Sequence, residues 1–344
     1  MRLGLGILCA LLIACDPAVP NQGAQDRSDA QGAKETDTPN HADAQHPPDA
    51  HDQSGTQEDD LTAKAVVELS LPLRELSGLT RRAFDGRIFG VGDDSFSLLS
   101  VQPTEPRLQN AVIESIDLAP LFASYTDTTE GSQWEAIASD GDGRVLILEE
   151  SPGRLFVLDR ELQRIERVFE LEVEAREGVS SSLAKSWRKN DNARGEGMIL
   201  LRNGHVLILK ERKERALIEF GPAGDAPSGF HLGDDANDVA FPLPAGNKLV
   251  ALHAWALDRD KAMPDGSELA TNLEGELYML SDEGRAMARV ELPIEPSDDE
   301  AHLGKPTKLP SLSKPEGMCA LDDGAWLIVS DQKTTQRNAI VVPQ

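Results

Sequence analysis

The chain has 344 residues, with 59 Asp or Glu against 34 Lys or Arg, so its formal net charge at pH 7 is −25. An acidic chain of this kind lacks the basic surface that nucleic-acid binding needs, and we expect no nucleic-acid partner. Three cysteines are too few for a small domain held together by disulfides. The length is sufficient for one sizeable hydrophobic core.

The first residues have the pattern of a secretory signal. Met1-Arg2 is followed by the apolar run LGLGILCALLIA, which is too short for a stable transmembrane anchor. The run ends in LIAC at Cys15, which resembles the lipobox of bacterial lipoproteins. That resemblance implies cleavage after residue 14 and a lipid on the Cys15 sulfur. We therefore expect a signal peptide at 1–14 and a protein of the bacterial cell envelope, bound to the outer membrane or to the periplasmic side of the inner membrane only through its lipid.

Residues 15–60 are predicted to be the lipidated cysteine and a disordered acidic tether. After Val19 no large apolar residue occurs before Leu61, and acidic residues, Pro, Gln and Ala are frequent between them. Such a segment buries too little apolar surface to offset the entropy that ordering costs. The folded domain is therefore expected to occupy 61–344.

Cys319 is the one cysteine expected to remain free in the mature chain, because Cys9 would leave with the signal peptide and Cys15 would carry the lipid. It lies in the apolar segment MCAL. Since burial raises the pKa of a thiol, we interpret Cys319 as a core residue rather than a nucleophile.

A pattern of three short apolar strands recurs along the rest of the chain. Its clearest copy runs from Trp134 to Asp159, where WEAIAS, RVLIL and RLFVL are separated by the turns DGDG and SPG. Repeats of roughly 40–60 residues built from short antiparallel strands are typical of propeller blades. Further copies start at Leu76, Gly195, Pro315 and, in a weaker form with GELYMLS as its third strand, Asn237.

The repeats predict an all-β fold with a single β-propeller. We favour five blades, and six are possible if 97–130 or 255–300 contains another sheet. The segment AVVELSLP at 65–72 is a lone strand, and the chain ends on a third strand. We therefore expect the N-terminal strand to complete the last blade and close the ring, which removes open sheet edges. The five predicted blades are 74–120, 131–175, 193–235, 236–296 and 313–344 with the N-terminal strand.

Two stretches do not fit the repeat. Residues 176–192 are interpreted as an insertion between blades, helical around 182–188, and 259–273 as an insertion within the fourth blade. Trp187 lies in the first insertion, where it would line a pocket or fix the loop to the rim.

The repeats place acidic residues at one end of the strands. In an antiparallel hairpin the start of the first strand and the end of the second lie at the same end. The first strands of a propeller surround its axis, so acids at their starts are expected to ring one mouth of the channel, with the second-strand acids outside them. The predicted inner ring consists of Glu75, Glu135, Glu196, Asp238 and Glu316. In the first copy the residue that aligns with the other acids is Ser77, and Glu75 lies two residues before it. The predicted second ring is Asp93, Glu150, Glu211, His253 and Asp331.

Carboxylates that converge on a narrow channel need a cation, Arg or Lys partners, or raised pKa values. An acidic site made only of oxygen ligands suits Ca²⁺ best and Mg²⁺ second. We therefore predict that the inner ring binds Ca²⁺. Two alternatives stay open: the acids accept hydrogen bonds from loop N–H groups, or nearby cations neutralise them. Those cations are Arg194, Lys210, Lys314 and Lys333.

Several segments together resemble a known group of bacterial propellers. ELSGL with DGRIFGVGDD, WEAIA with DGDGRVLILEE and GRLFVLD, and GEGM with LILKERK are similar to the SdiA-regulated and phytase-like families. The similarity covers most of 70–340 and is weak across 236–312. It implies a secreted or periplasmic propeller, in several cases with calcium in or near the channel, and an esterase-like activity in one branch.

Two classes of function follow. The first is a lipid-anchored propeller, expected to be monomeric, that binds a small-molecule or protein ligand at its acidic, calcium-loaded face. The second is a calcium-dependent phosphoesterase or esterase, which would also need basic residues on that face to hold a substrate anion. Lys210, Arg212 and Lys213 could serve in that role. The sequence contains neither G-x-S-x-G nor H-E-x-x-H, and no catalytic residue is assigned from it.

Overall fold

The structure is a computed structural model that describes residues 66–104, 108, 110–125, 131–189, 194–212, 214–258, 260–310 and 312–343. The predicted signal peptide, Cys15 and the acidic tether therefore lie outside the described residues. Within the described part there are two helices, α1 (Ala119–Phe122) and α2 (Ser181–Lys189), and neither is long and apolar enough to cross a membrane.

Nearly all the regular structure consists of short strands, as the branched apolar segments and intervening turns predict. The described strands form three four-stranded sheets and one nine-stranded sheet. The first four-stranded sheet contains β2 (Leu76–Arg81), β3 (Ile88–Gly92), β4 (Ser97–Gln102) and β5 (Val112–Asp117). Another contains β14 (Glu268–Thr271), β15 (Leu277–Ser281), β16 (Ala286–Arg289) and β18 (Thr307–Lys308). The last contains β19 (Pro315–Ala320), β20 (Trp326–Ser330), β21 (Ala339–Val342) and β1 (Val67–Leu69).

The nine-stranded sheet consists of two antiparallel sets of four, joined where β9 (Ile165–Glu172) and β13 (Lys248–Leu257) pair in parallel. A ninth short strand, β17 (Glu300–Ala301), also pairs with β13 in parallel. One set contains β6 (Trp134–Ser139), β7 (Val145–Glu149), β8 (Arg154–Leu158) and β9 (Ile165–Glu172). The other contains β10 (Gly197–Leu200), β11 (Val206–Lys210), β12 (Ala216–Gly221) and β13 (Lys248–Leu257).

The first strands of the sets close a ring. Strands β2, β6, β10, β14 and β19 contact one another in that order, and β19 contacts β2. They therefore surround a central axis, with the other strands of each set outside them, and the fold is a β-propeller. We interpret each antiparallel set of four as one blade.

The hydrophobic core lies between neighbouring sets. Phe89 and Leu98 of the first set pack with Trp134 and Phe156 of the second, and all four are fully buried. Phe122 of α1 packs against this cluster, with its ring centroid 4.7 Å from that of Trp134. Cys319 is also buried, and burial raises its pKa to about 12, which confirms its interpretation as a core residue.

The N-terminal strand completes the last set, as the sequence predicts. Strand β1 pairs antiparallel with β21, with Val67 opposite Val341. The fully buried Asn338 side chain holds the segment that follows β1: its Oδ1 accepts the Leu71 N–H at 2.7 Å, and its Nδ2 donates to the carbonyls of Leu71 and Leu73. One side chain thus satisfies three backbone groups that join the two ends of the described chain.

Replacing Asn338 by Ala should destabilise the fold by about 2 kcal/mol, because buried backbone groups at the closure lose their hydrogen-bond partner. Urea denaturation measures the loss. The neighbouring Gln336→Ala is the control, since Gln336 is exposed and should change stability little. Equal stability of the two variants would show that Asn338 does not hold the closure.

The predicted alignment of the fourth copy is wrong. The segment KLVALHAW at 248–255, which that alignment takes as the second strand, lies in β13, and β13 pairs antiparallel with β12 as the outer strand of the third set. The fourth set begins at β14, inside the stretch 259–273 that we interpreted as an insertion. GELYMLS contains β15, the second strand of that set rather than the third. Strand β13 resembles an inner strand because its outer side is covered by β17 and by the segment that carries α2.

Helix α2 confirms the helix predicted at 182–188. Its Leu183, Ala184 and Trp187 are buried, and the Trp187 ring centroid lies 5.5 Å from that of Phe220. Trp187 therefore fixes the insertion to the third set, which is the simpler of the two roles considered for it.

Candidate acidic site at one mouth of the channel

The first strands of three sets share a β-bulge near their start, at the position of the acidic residue in the sequence repeat. The pairing register shifts between Leu76 and Gly78, between Trp134 and Ala136, and between Pro315 and Gly317. The skipped residue in each case is the predicted inner-ring position. A bulged residue leaves the regular alternation of the strand, so its side chain can point elsewhere. The three bulged residues are Ser77, Glu135 and Glu316.

Glu196 occupies the corresponding place in the third set. Its N–H donates to the Leu209 carbonyl at 2.9 Å, and it directly precedes Gly197, which pairs with Leu209. Glu135, Glu196 and Glu316 therefore each lie at the start of a first strand. The structure brings these three predicted residues together, since each repels the others electrostatically.

The three glutamates lie in a crowded place that water still reaches. Each remains partly accessible, although protein atoms surround most of its side chain. Burial first, and neighbouring carboxylates second, raise the pKa values of Glu135 and Glu196 well above the usual range. The same causes raise the pKa of Glu316 to about 8. The Ser77 hydroxyl is a hydrogen-bond partner of Glu135 and opposes the shift.

The fourth position of the inner ring belongs to Ser267, not to Asp238. The Ser267 N–H donates to the Leu280 carbonyl at 2.9 Å, as Glu196 does to Leu209, and its hydroxyl donates to the Pro315 carbonyl. The prediction of Asp238 as a ring residue resulted from the wrong alignment of the fourth copy. It lies in a loop with its side chain 68% exposed, forms an ion pair with Arg202, and faces the opposite end of the channel.

Glu75 lies with the second ring rather than the inner one. Its carboxylate is 3.7 Å from the Lys333 ammonium. Burial, then Asp93 and Asp94, raise its pKa. Glu75 has a left-handed backbone, with φ +49°, and so have Gln133 and Lys314 at the matching positions of their sets.

The second ring has an acid in every set. Asp93, Glu150, Glu211 and Asp331 each directly follow a second strand, as predicted, and Asp282 follows β15 in the fourth set. His253, predicted for that place, instead lies within β13, where its Nε2 is 3.1 Å from the Asp298 carbonyl oxygen. The sequence does contain a signal for Asp282, because the segment LYMLSD, which ends at Asp282, is similar to WLIVSD, which ends at Asp331.

Cations neutralise much of the second ring. Glu150 accepts the backbone N–H of Arg194 at 2.9 Å and is attracted by the positive charge of that residue. Glu211 forms an ion pair with Arg212 at 2.5 Å, and Asp331 pairs with Lys314. Burial nevertheless raises the pKa values of Glu150 and Glu211 to about 7. Two of the four cations considered as partners for the inner ring, Lys314 and Lys333, thus pair with outer acids. The Arg194 side chain donates to the backbone carbonyls of Trp187 and Glu150.

The inner glutamates have no comparable partner in the described part of the chain. Glu135, Glu196 and Glu316 form no ion pair there within 4.0 Å. Lys210 attracts Glu196, but its ammonium donates to the Arg212 carbonyl, and burial lowers its pKa. Negative charge at the mouth is therefore balanced less well at the centre than at the rim.

Glu268 lies just below the mouth and was missed by the sequence analysis. It is 1% exposed, and its carboxylate accepts the N–H of Leu79 at 3.2 Å and of its neighbour Leu269 at 2.9 Å. The Met318 N–H also donates to it. Burial raises its pKa well above the usual range, and these three donors oppose the shift. Glu268 thus joins the first strands β2, β14 and β19 across the axis.

The oxygen chemistry of the mouth suits Ca²⁺, but its spacing does not form a complete ligand set. Three ligands of one Ca²⁺ lie within about 5 Å of one another, since Ca–O distances are about 2.3–2.6 Å. Among the described residues, no three ring side chains bring ligand atoms within 4.8 Å of one another. In this arrangement an ion would have at most two ring carboxylates as ligands, with water or carbonyl oxygens completing the shell.

One cavity lies at the opposite end of the channel, and a second adjoins the acidic rings. The first, about 290 Å³, is lined by the far ends of the first strands and by Arg81, Arg202 and Asp235. The second is a groove of about 910 Å³ between the α2 segment and β13, and Glu211 lies in its wall. That size is in the range of small-molecule sites. Its basic lining residues are Arg176, Arg212, Arg215 and Lys261.

No protein-family model matches the sequence, and no curated protein does. Solved structures with a similar fold include a glutaminyl cyclase from Myxococcus xanthus, at 13% identity and TM-score 0.44, covering 81% of this chain and 93% of that one. A gluconolactonase from Xanthomonas campestris has 11% identity and TM-score 0.40, with coverage of 81% and 79%. Virginiamycin B lyase from Staphylococcus aureus has 12% identity and TM-score 0.37, with coverage of 77% and 67%. At such low identity and TM-score, these similarities say nothing about the activity of this chain.

Proposed function

We propose that this protein is a binding propeller whose acidic mouth holds cations. The observation that carries the proposal is the convergence of Glu135, Glu196 and Glu316 without an ion-pair partner among the described residues. A cation placed between them removes mutual repulsion that the fold otherwise keeps. Ca²⁺ is the first candidate, bound by two ring carboxylates and water, and the ammonium group of an organic ligand is the other source of positive charge.

The remaining parts of the proposal come from the sequence. A lipid on Cys15 would hold the propeller in the cell envelope through the acidic segment at 16–60. The resemblance to SdiA-regulated and phytase-like propellers supports the same location. The chain acts as a monomer, and its ligand is a small molecule or protein segment that carries positive charge or binds through Ca²⁺.

Thermal melts of the purified protein test this function. We expect Ca²⁺ in excess over EDTA to raise the Tm, because a ligand at about 100 times its Kd stabilises the native state by about 2.7 kcal/mol. Parallel melts contain Mg²⁺ or spermidine, which separate a preference for Ca²⁺ from a general response to positive charge.

Variants locate the effect. Glu135→Gln and Glu196→Gln should reduce the Ca²⁺-induced shift to less than half. Glu161→Gln should leave it unchanged, because Glu161 is exposed on the turn after β8, away from the mouth. If no cation shifts the Tm of the unaltered protein, the acids are structural and the proposal is wrong.

The groove favours hydrolysis as a second candidate function. A phosphoesterase or esterase needs cations beside its metal to hold the substrate anion. Arg212 and Arg215 line the groove together with Glu211 of the second ring. Nucleophile chemistry is not evident there: the Ser180 hydroxyl accepts the Leu183 N–H and contacts Ser182. Hydrolysis of p-nitrophenyl phosphate or acetate, lost on adding EDTA and in Arg212→Ala, would favour this candidate over binding alone.

A further inference from the structure

A compact group of metal-binding side chains lies away from the channel, at the outer side of the third set. Asp258, Glu300 and His302 each offer one ligand atom, and these atoms all lie within 4.8 Å of one another. Among the described residues this is the only group of three or more His, Cys, Asp or Glu that meets that distance. It combines an imidazole with two carboxylates and is separate from both acidic rings.

The parallel pairing of β13 and β17 explains why the three side chains meet. Ala256 lies opposite Glu300 and Leu257 opposite Ala301, so Asp258 and His302 come next along the two strands. Glu300 and His302 are two residues apart and therefore point to the same side. The His302 Nδ1 is 3.0 Å from Asp258 Oδ2.

The backbone of this segment is held on its other side as well. The Glu291 N–H donates to the His302 carbonyl at 2.8 Å, and Val290 forms a bridge with Leu303. His302 is thus fixed between β13 and the segment after β16. The donor atoms are presented by paired backbone rather than by a free loop, which lowers the ordering cost of binding an ion.

We propose that Asp258, Glu300 and His302 form a binding site for a divalent transition metal ion, with Zn²⁺ or Co²⁺ as the preferred class. An imidazole nitrogen with two carboxylates suits these ions, whereas Ca²⁺ favours all-oxygen shells. Three protein ligands leave coordination positions for water, because all three side chains are accessible to solvent. The ion links β13 of the third set to β17, which lies between β16 and β18 of the fourth set in the chain.

His231 provides a matched control. It is exposed and also lies between two carboxylates, but they contact opposite ring nitrogens: Nδ1 is 3.0 Å from Asp234, and Nε2 is 3.3 Å from Glu295. Carboxylates on opposite edges of the ring cannot share one ion with it. His231→Ala should therefore leave metal binding unchanged, whereas His302→Ala should remove it.

Calorimetric titration of the untagged full chain with Zn²⁺, and with Co²⁺ monitored by its visible absorption, tests the site. His41, His46 and His51 precede the propeller and can also bind Zn²⁺. Metal binding at the proposed site is therefore measured as the difference in Zn²⁺ binding between the unaltered protein and His302→Ala. We expect one equivalent to be lost in His302→Ala, at least tenfold weaker binding in Asp258→Asn and Glu300→Gln, and no change in His231→Ala or with Ca²⁺ present. Equal Zn²⁺ stoichiometry and affinity in His302→Ala and the unaltered protein would overturn the proposal. Circular dichroism checks that the variants are folded.

Discussion

Glu268→Ala is expected to destabilise the protein by about 3–5 kcal/mol, which is the largest effect we predict for a single side chain. The change leaves the N–H groups of Leu79, Leu269 and Met318 without their acceptor at a place that solvent hardly reaches. Each unpaired buried donor costs about 1–3 kcal/mol, and the cavity left by the side chain adds to the loss. Chemical denaturation at pH 7 measures it.

A comparison of two Glu→Gln changes tests whether Glu268 acts as a hydrogen-bond acceptor for these backbone groups. Glu268→Gln keeps the shape but places an amide NH₂ among N–H donors, so it should destabilise by about 1–3 kcal/mol. Glu196→Gln removes a carboxyl group whose ionisation is opposed by burial and by acidic neighbours, so without divalent cations it should stabilise. The same chemical change thus has opposite signs at two neighbouring levels of the channel. If both variants change stability in the same direction, Glu268 does not bind these backbone groups as a carboxylate.

The positions of both acidic rings could largely be predicted from the sequence, because they depend on local pattern. Glu135, Glu196 and Glu316 each start a first strand, and a short hairpin fixes which second-strand residue lies beside that start. Glu135 and Glu316 lie at register shifts near the starts of β6 and β19, and Glu196 directly precedes β10. That these residues bind a metal ion stays a prediction.

The fourth set could not be aligned with the other copies from the sequence, because the number of apolar residues in a strand depends on how much of it is buried and not on its place in the blade. Strand β13 is covered by the α2 segment, and its neighbour Gly178 lies so close that an added Cβ would be 2.2 Å from the His253 Nδ1. It therefore has the composition of an inner strand. Nothing in one sequence shows that a distant insertion covers it.

Glu268 was missed for a related reason. At the corresponding positions the other first strands have Gly78, Ala136, Gly197 and Gly317, so the repeat predicts a small residue. The contacts explain the glycines, since a Cβ on Gly197 would lie 2.3 Å from the Leu269 nitrogen. The long Glu268 side chain occupies the space that the small residues of the other first strands leave. This packing across the axis depends on contacts between distant parts of the chain, so one sequence does not reveal it.

The protein without divalent cations should lose stability as the pH rises from about 5.5 to about 8.5. Glu150 and Glu211 have pKa values of about 7, and Glu316 of about 8, all raised from the ordinary 4.5 chiefly by burial. Between 4.5 and these values the native state binds more protons than the unfolded chain. The free energy of unfolding must therefore decrease with increasing pH in this interval. The stabilisation is fully present below 4.5 and is lost as the pH passes through 7 to 8.

The size of this effect is about 3 kcal/mol. One pKa unit corresponds to about 1.4 kcal/mol, but the three groups interact, so their separate shifts do not add. His205 acts in the same direction, because hydrogen bonding to Glu219 and Asp225 raises its pKa. Below pH 4.5 the trend reverses, since Asp85 and Glu219 have lowered pKa values and lose their partners on protonation. The maximum of stability should thus lie near pH 4.5, where the two trends meet.

Urea denaturation in EDTA at pH 5.5, 7.0 and 8.5 measures the profile. Glu316→Gln should flatten it and raise stability at pH 8.5, because it removes a carboxyl whose pKa is raised to about 8. Glu161→Gln should leave the profile unchanged, since its exposed carboxylate lies far from the mouth. Ca²⁺ should flatten the profile of the unaltered protein, because a bound cation favours the ionised form of the carboxylates around it. A profile that is already flat in EDTA would mean that the mouth acids are neutralised within the protein, and no cation would then be needed there.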